Sequence, residues 1–165
     1  MSRARDLAAN VTALDALASD ATALGALADI EAMLTARGVG TVSETGGIPT
    51  GAIVQSGSNA NGSFLRFSDG TQICWHTITL TQVSGASLYK LWTFPIAFSA
   101  APTVSATLID TGTYAPGRGS LGAGGIDNPP TTTAAELFQS RDPAAANFAV
   151  SDTIDFSVMA VGRWY

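Results

Sequence analysis

Residues 56–75 read Ser56-Gly-Ser-Asn-Ala-Asn-Gly-Ser-Phe-Leu-Arg-Phe-Ser-Asp-Gly-Thr-Gln-Ile-Cys-Trp75, and this stretch decides the fold class. Two apolar runs, 64–67 and 72–75, flank Ser68-Asp-Gly-Thr71. Asp-Gly is the pair that supplies two positive-φ residues to a type I′ turn, so the sequence predicts a β-hairpin with its register set at Asp69-Gly70. Asn61-Gly62 offers a second tight turn feeding the first strand, and 56–58 around Gly57 reads as a short loop before it. None of these residues is a nucleophile, a metal-ligand cluster or a phosphate loop. Read from physics alone, the stretch is scaffold.

The rest of the chain fits a β-rich unit with a helical appendage. It has 165 residues, 46% hydrophobic and 13% charged, enough for one ordinary domain and an extension. So few charges on so apolar a chain point to surface covered by copies of itself, and therefore to an oligomer. A net charge of −5 with only 8 Lys plus Arg, scattered along the chain, gives no positive track for nucleic acid. The single cysteine, Cys74, excludes an intrachain disulfide and reads as a small buried hydrophobe beside Trp75. No apolar run reaches membrane-spanning length, and the amino terminus has no signal-peptide pattern, so synthesis and assembly in the cytosol are expected.

Residues 5–36 are dominated by Ala and Leu with no proline, which predicts helix. Leu7, Leu14, Ala21 and Ala28 recur at heptad spacing with Leu17 and Leu24 at the partner position, a narrow stripe that one helix cannot bury alone. Thr12-Ala-Leu-Asp-Ala-Leu-Ala18 is nearly repeated by Thr22-Ala-Leu-Gly-Ala-Leu-Ala28, an offset that fits neither heptad nor eleven-residue periodicity. A coil built on it is expected to be short and imperfect, and Gly25 leaves a break into two helices open. Packing of the helix on its own domain is the other reading of the stripe. The expected organisation is a helical trimerisation or docking segment over 1–37, a Gly/Ser/Thr linker over 38–51 and a β-domain over 52–165. Strands are expected at 52–55, 63–67, 72–82, 88–94, 103–110, 134–139, 147–151 and 153–164, and the alternation of Ile154, Phe156, Val158 and Ala160 marks a half-buried antiparallel strand. The fold class is α+β, a helix followed by an antiparallel β-sandwich.

Candidate chemistry is sparse. Gly117-Arg-Gly-Ser-Leu-Gly122 matches the dinucleotide pattern formally, but the Gly- and Pro-rich residues after it cannot open the helix that would hold a pyrophosphate. His76, the one histidine, reads as a strand residue and not a catalyst, and no G-x-S-x-G elbow or multi-ligand zinc set exists. The acidic residues are spread singly, giving no support for a glycosidase pair. Recognition chemistry remains. Tyr114, Arg118 and Asn128 lie in the long Gly/Pro-rich segment between Asp110 and Thr131, and Arg141 and Asp142 in a second irregular segment. Tyr stacks at little entropic cost and Arg donates in a rigid fork, so these five are the candidate binding residues. No cofactor or metal is expected.

Three motifs in order resemble the carboxy-terminal domains of bacteriophage tail fibres: the 56–75 stretch, then Trp92-Thr-Phe-Pro-Ile-Ala-Phe-Ser-Ala-Ala-Pro-Thr-Val104, then Ala160-Val-Gly-Arg-Trp-Tyr165. The match covers roughly two thirds of the chain, and the opening Met1-Ser-Arg-Ala-Arg-Asp-Leu7 also resembles short fibre proteins of phages. A weaker similarity runs to the H-type lectins, through the aromatic-Pro-x-x-Phe-x-x-x-Pro-x-Val pattern. Phe156 stands where those lectins often carry a tyrosine, so their sugar site is not carried over. The resemblance implies a homotrimeric β-sandwich at the end of a virion fibre or spike. Its partners would be other virion proteins, met through the amino-terminal segment, and a bacterial surface glycan or protein, met without catalysis, nucleic-acid binding or membrane insertion. A decoration protein that binds no host molecule and a polysaccharide-degrading enzyme are the rival expectations.

Overall fold

The computed structural model describes residues 2–109, 114 and 121–165, except for the side chains of residues 2, 4, 5, 17–19, 21, 23, 33 and 35–37 in the helix. Two compact units emerge, Met1–Val39 and Gly40–Tyr165.

The first unit is one continuous helix, α1 (Ser2–Gly38), with Gly25 inside it. High intrinsic propensity of Ala and Leu drives it. Leu7, Leu14, Leu24 and Leu34 are all exposed by 64–65%. At 3.6 residues per turn, Leu7 and Leu14 nearly share an azimuth, but each ten-residue step from Leu14 to Leu24 to Leu34 turns the apolar position back by about 80°. The stripe therefore winds to the opposite side of a straight helix by Leu34. A heptad seam drifts only about 20° per repeat, so this one has the character of heptads interrupted by three-residue insertions, which overwind a coil. Leu17 belongs to α1, but its side chain is outside the described ones.

The second unit is mostly antiparallel β-sheet. A small hairpin of β1 (Glu44–Thr45) and β2 (Ile48–Pro49) turns at Gly46 and Gly47, with φ of 61° and 83°. The segment expected to be a linker is thus ordered: Gly40 N donates to Val54 O, Ala52 N to Thr41 O, and Val42 and Ala52 are buried. Apolar side chains placed just outside the glycines anchor what glycine content alone would leave loose.

Next come β3 (Val54–Asn59), β4 (Gly62–Phe67), β5 (Thr71–Ser84), β6 (Ser87–Thr93), β7 (Thr103–Leu108), β8 (Leu121–Ile126), β9 (Ala134–Arg141) and β10 (Thr153–Arg163). The long strand β5 organises them. One of its edges pairs with β10 from Thr71 to Thr81, and β10 pairs on its far side with β7. Its other edge is divided: Gln72 to Trp75 pair with β4, which continues to β3, whereas Thr81 to Ser84 pair with β6, which continues to β9 and β8. Two arms that share β5 thereby enclose one core. Cys74, Ile78, Leu80, Ile154, Phe156, Val158 and Ala160 enter it from one arm, and Leu88, Trp92, Ala135 and Leu137 from the other. The alternation predicted for 154–160 holds along β10. Burial pushes the Cys74 thiol up to about 11, as expected of an inert core residue.

Four local expectations need correction. Residues 56–58 are strand and not loop, because Phe64 lies over Gly57 and shields its backbone. The turn at Asp69-Gly70 is a three-residue loop: Gly70 N donates to Phe67 O, Ser68 and Asp69 are central, and Gly70 follows at φ 93°. Residues 147–151 form a turn region closed by the Asp152 carboxylate, which accepts from Ala149 N at 2.9 Å. Finally, 121–126, within the segment read as loop, is strand β8. Its glycines leave room for Gln139, whose amide nitrogen donates to the carbonyls of Gly122 (3.1 Å), Ala123 (3.3 Å) and Ser140 (2.9 Å).

Candidate functional site

The three motifs read from the sequence close on one another in space. From the hairpin, Gln72 Nε2 donates to Ile96 O and Ala97 O, both at 3.2 Å, and Arg66 Nη2 to Ala97 O at 3.3 Å. Arg66 Nε also donates to Gln72 Oε1 at 2.7 Å, so the two side chains act as a pair. The middle motif supplies a ladder of edge-to-face rings, Trp92 on Phe94 and Phe94 on Phe98, with centroids 4.9 and 5.2 Å apart. Phe98 packs against Gly162 so closely that a Cβ there would meet its ring at 2.9 Å. The last motif returns to the first: Trp164 Nε1 donates to Phe67 O (2.8 Å), Arg163 Nη2 to Asp69 O (2.9 Å) and Tyr165 Oη to Ser68 O (3.1 Å). Arg66 lies 5.5 Å from the Trp164 ring centroid and Arg163 5.4 Å from that of Tyr165. The chain end thus clasps the hairpin turn. Satisfying the turn's outward carbonyls is what requires Arg-Trp-Tyr at that place.

On the outer face of β4, β5 and β10 lie two cross-strand apolar rows, Leu65–Ile73–Val161 and Trp75–Met159. Trp75 is 40% exposed, Met159 46% and Val161 38%. The parity of Trp75 opposite buried Cys74 settles that it faces outward. The signal was there in the pairing of Trp75 with an apolar Met159, but it needs the β5–β10 register to be seen.

The candidate recognition residues do not form one tip. Asn128 Nδ2 donates to the Glu136 carboxylate, near the start of β9. Arg141 ends β9, five residues further, or about 16 Å along a strand. Its Nη1 donates to the carbonyls of Asp142, Pro143 and Ala145 at 2.9, 2.8 and 3.0 Å, and Asp142 Oδ1 accepts from Ala144 N at 2.8 Å. Arg141 therefore folds its own loop, while its buried Nε has no hydrogen-bond partner among the described residues. Tyr114 is half-buried against the core. Arg118 lies outside the described residues. Tyr89 joins Asn128 at Glu136: burial, and then the hydrogen bond to that carboxylate, hold its hydroxyl above the ordinary phenol value.

Comparison with solved structures finds likeness to fibre and spike proteins. The chain is similar to pyocin tail fibres. An amino-terminally truncated R1-type pyocin tail fibre matches at 22% identity and a TM-score of 0.48, over 66% of this chain and 84% of that one. A carboxy-terminal piece of the P. aeruginosa R1 pyocin fibre matches at 22% identity and a TM-score of 0.47 over the same share of this chain, which spans only 28% of that piece. The tailspike of Pseudomonas phage phi297 matches at 19% identity and a TM-score of 0.39, over 55% of this chain and 15% of that one. These are the class of protein that the three ordered motifs resemble. No protein-family model matches the chain, and no curated protein matches it. At these identities no residue role is carried across.

Proposed function

We propose that the chain is a subunit of a virion fibre or spike, a homotrimer whose β-unit is a sandwich that attaches to a molecule of the bacterial surface. The observation that carries this reading is the clasp: the three motifs that resemble a fibre domain meet as one hydrogen-bonded framework instead of lying scattered through the fold. A resemblance confined to residues that hold each other in place is a resemblance of architecture. Self-association is supported by the exposed leucines of α1 and by the Trp75–Met159 face, since contiguous exposed apolar surface marks a contact. In this reading α1 forms the trimeric coil or docks on other virion proteins, and the protein is made in the host cytoplasm.

The receptor is a surface glycan or protein, and binding is avid because three modest sites share one stalk. Asn128, Arg141 and Asp142 contribute from opposite ends of β9, and Arg118 from its own segment. The chain binds and does not cleave: Glu136 is held by Asn128, Asp152 by Ala149 N and Asp155 by Thr79, which suits structural carboxylates.

Incubating the labelled protein with a panel of bacterial strains tests the proposal. Saturable adsorption to some strains, competed by unlabelled protein, is expected. Absence of adsorption across the panel would favour the decoration protein, and release of reducing ends from host polysaccharide, abolished by one carboxylate substitution, would favour the enzyme.

A further inference from the structure

We infer that the cleft where the sheet divides binds the acidic group of a sugar, an inference that rests on the attachment reading above. β4 pairs with β5 as far as Trp75, and β6 joins β5 only at Thr81. Among the described residues, one edge of β5 between those positions has no strand beside it, and β6 beyond Tyr89 has β9 alone as its partner. The gap holds a cavity of about 260 Å³, with Ile78 and Trp92 as its floor and Asn61 and Thr93 in its walls. His76 and Lys90 also line it, and they are the one histidine and the one lysine in the chain.

Charge selects the ligand. The protein carries −5 overall, yet no carboxylate among the described residues lines this cavity. Arg66, Arg141 and Arg163 are each committed to hydrogen bonds within the fold. Lys90 and His76 have no such bond among the described residues. An ammonium, an imidazole, an amide and a hydroxyl around one small space are the donors that a compact oxyanion needs. Leu91 and Ile78 beside them suit the C–H face of a sugar ring, and the volume admits about one ring, at the small end of ligand cavities.

The wall opposite β6 is fixed in advance. Gly62, at φ 124°, brings the β3–β4 turn onto β5, and a Cβ there would collide with the carbonyl of Trp75. Asn61 O accepts from Trp92 Nε1 at 2.9 Å, and Asn59 Nδ2 donates to Pro95 O at 2.8 Å. Pinning the turn to both neighbours lowers the ordering cost of binding. A carboxylate- or phosphate-bearing sugar is therefore the ligand class.

Amide chemical shifts of the full-length protein, titrated in parallel with glucuronate, glucose 6-phosphate, glucose and inorganic phosphate, test this. Saturable shifts at His76, Lys90 and Thr93 are expected with one or both acidic sugars, the two arms telling carboxylate from phosphate, and none with glucose. Lys90→Gln should weaken that binding about tenfold, the scale of a lost charge-assisted hydrogen bond, without lowering Tm. Equal shifts with glucose, inorganic phosphate binding as well as the acidic sugars, or binding unchanged in both Lys90→Gln and His76→Gln would overturn the inference. Sugar binding by a protein that adsorbs to no cells would sink the attachment reading and leave the cleft standing.

Discussion

Gly62 shows how much one missing side chain can determine. Its φ of 124° and its contact with the backbone of Trp75 and the Cβ of His76 leave no room for a methyl group. Because a backbone carbonyl cannot step aside, Gly62→Ala should cost about 2 kcal/mol or more and lower Tm accordingly, and an unchanged Tm would refute the contact. Trp164 is a different case, half-buried with its indole N–H on Phe67 O. Trp164→Ala should cost about 2 kcal/mol in denaturant unfolding, less than a fully buried Trp because half its surface stays wet. At Asp69 the N–H of Thr71, with a further bond from its side chain, holds the carboxyl below the usual range. A depressed folded value means stability present above the unfolded carboxylate value and lost as pH falls through the folded one. Acid titration of Asp69→Asn should lack that component. The Asp-Gly pair was legible as a turn, but its type was not. Which residues occupy the centre depends on the clasp by Arg163 and Tyr165, a contact 94 residues away in sequence for the Arg163–Asp69 bond.

Among the elements, those with strong alternation or propensity were legible and those built on glycine were not. β10 and α1 follow from Ile154-Asp-Phe-Ser-Val158 and from the Ala/Leu run. β8 escaped because Leu-Gly-Ala-Gly-Gly-Ile has little β-propensity of its own, and the strand exists through Gln139. Gln139→Leu would leave the carbonyls of Gly122, Ala123 and Ser140 without that donor. A loss of about 1–3 kcal/mol and faster hydrogen exchange confined to β8 and β9 are expected. Residues 147–151 were misread for the opposite reason: Phe148 and Val150 imitate alternation, but only Phe148 is buried, while Val150 is 88% exposed. In α1 the heptad reading caught the leucines and missed their winding, because the ten-residue offset becomes an angle only when the helix is unbroken. Leu14→Asn with Leu24→Asn should weaken self-association at least tenfold while leaving the unfolding of the β-unit unchanged. Unaltered association would exclude the stripe as the seam.

For the whole molecule, the site was the least legible part. Asn128 and Arg141 were read as binding residues of two irregular segments, and β9 separates them while each makes local bonds. The cleft with His76 and Lys90 joins residues of β5, of β6 and of the β3–β4 turn, and nothing in the order of the sequence announces the division. What the chain displays as a whole is one interlocked β-unit with an apolar outer face and a helix with unburied leucines. In the proposed reading copies of the same chain cover both surfaces, and attachment gains avidity from them. Sedimentation equilibrium at micromolar concentration tests that claim most directly: the account predicts a stable species of three times the 16.8 kDa chain mass, and a stable species at 16.8 kDa would contradict it.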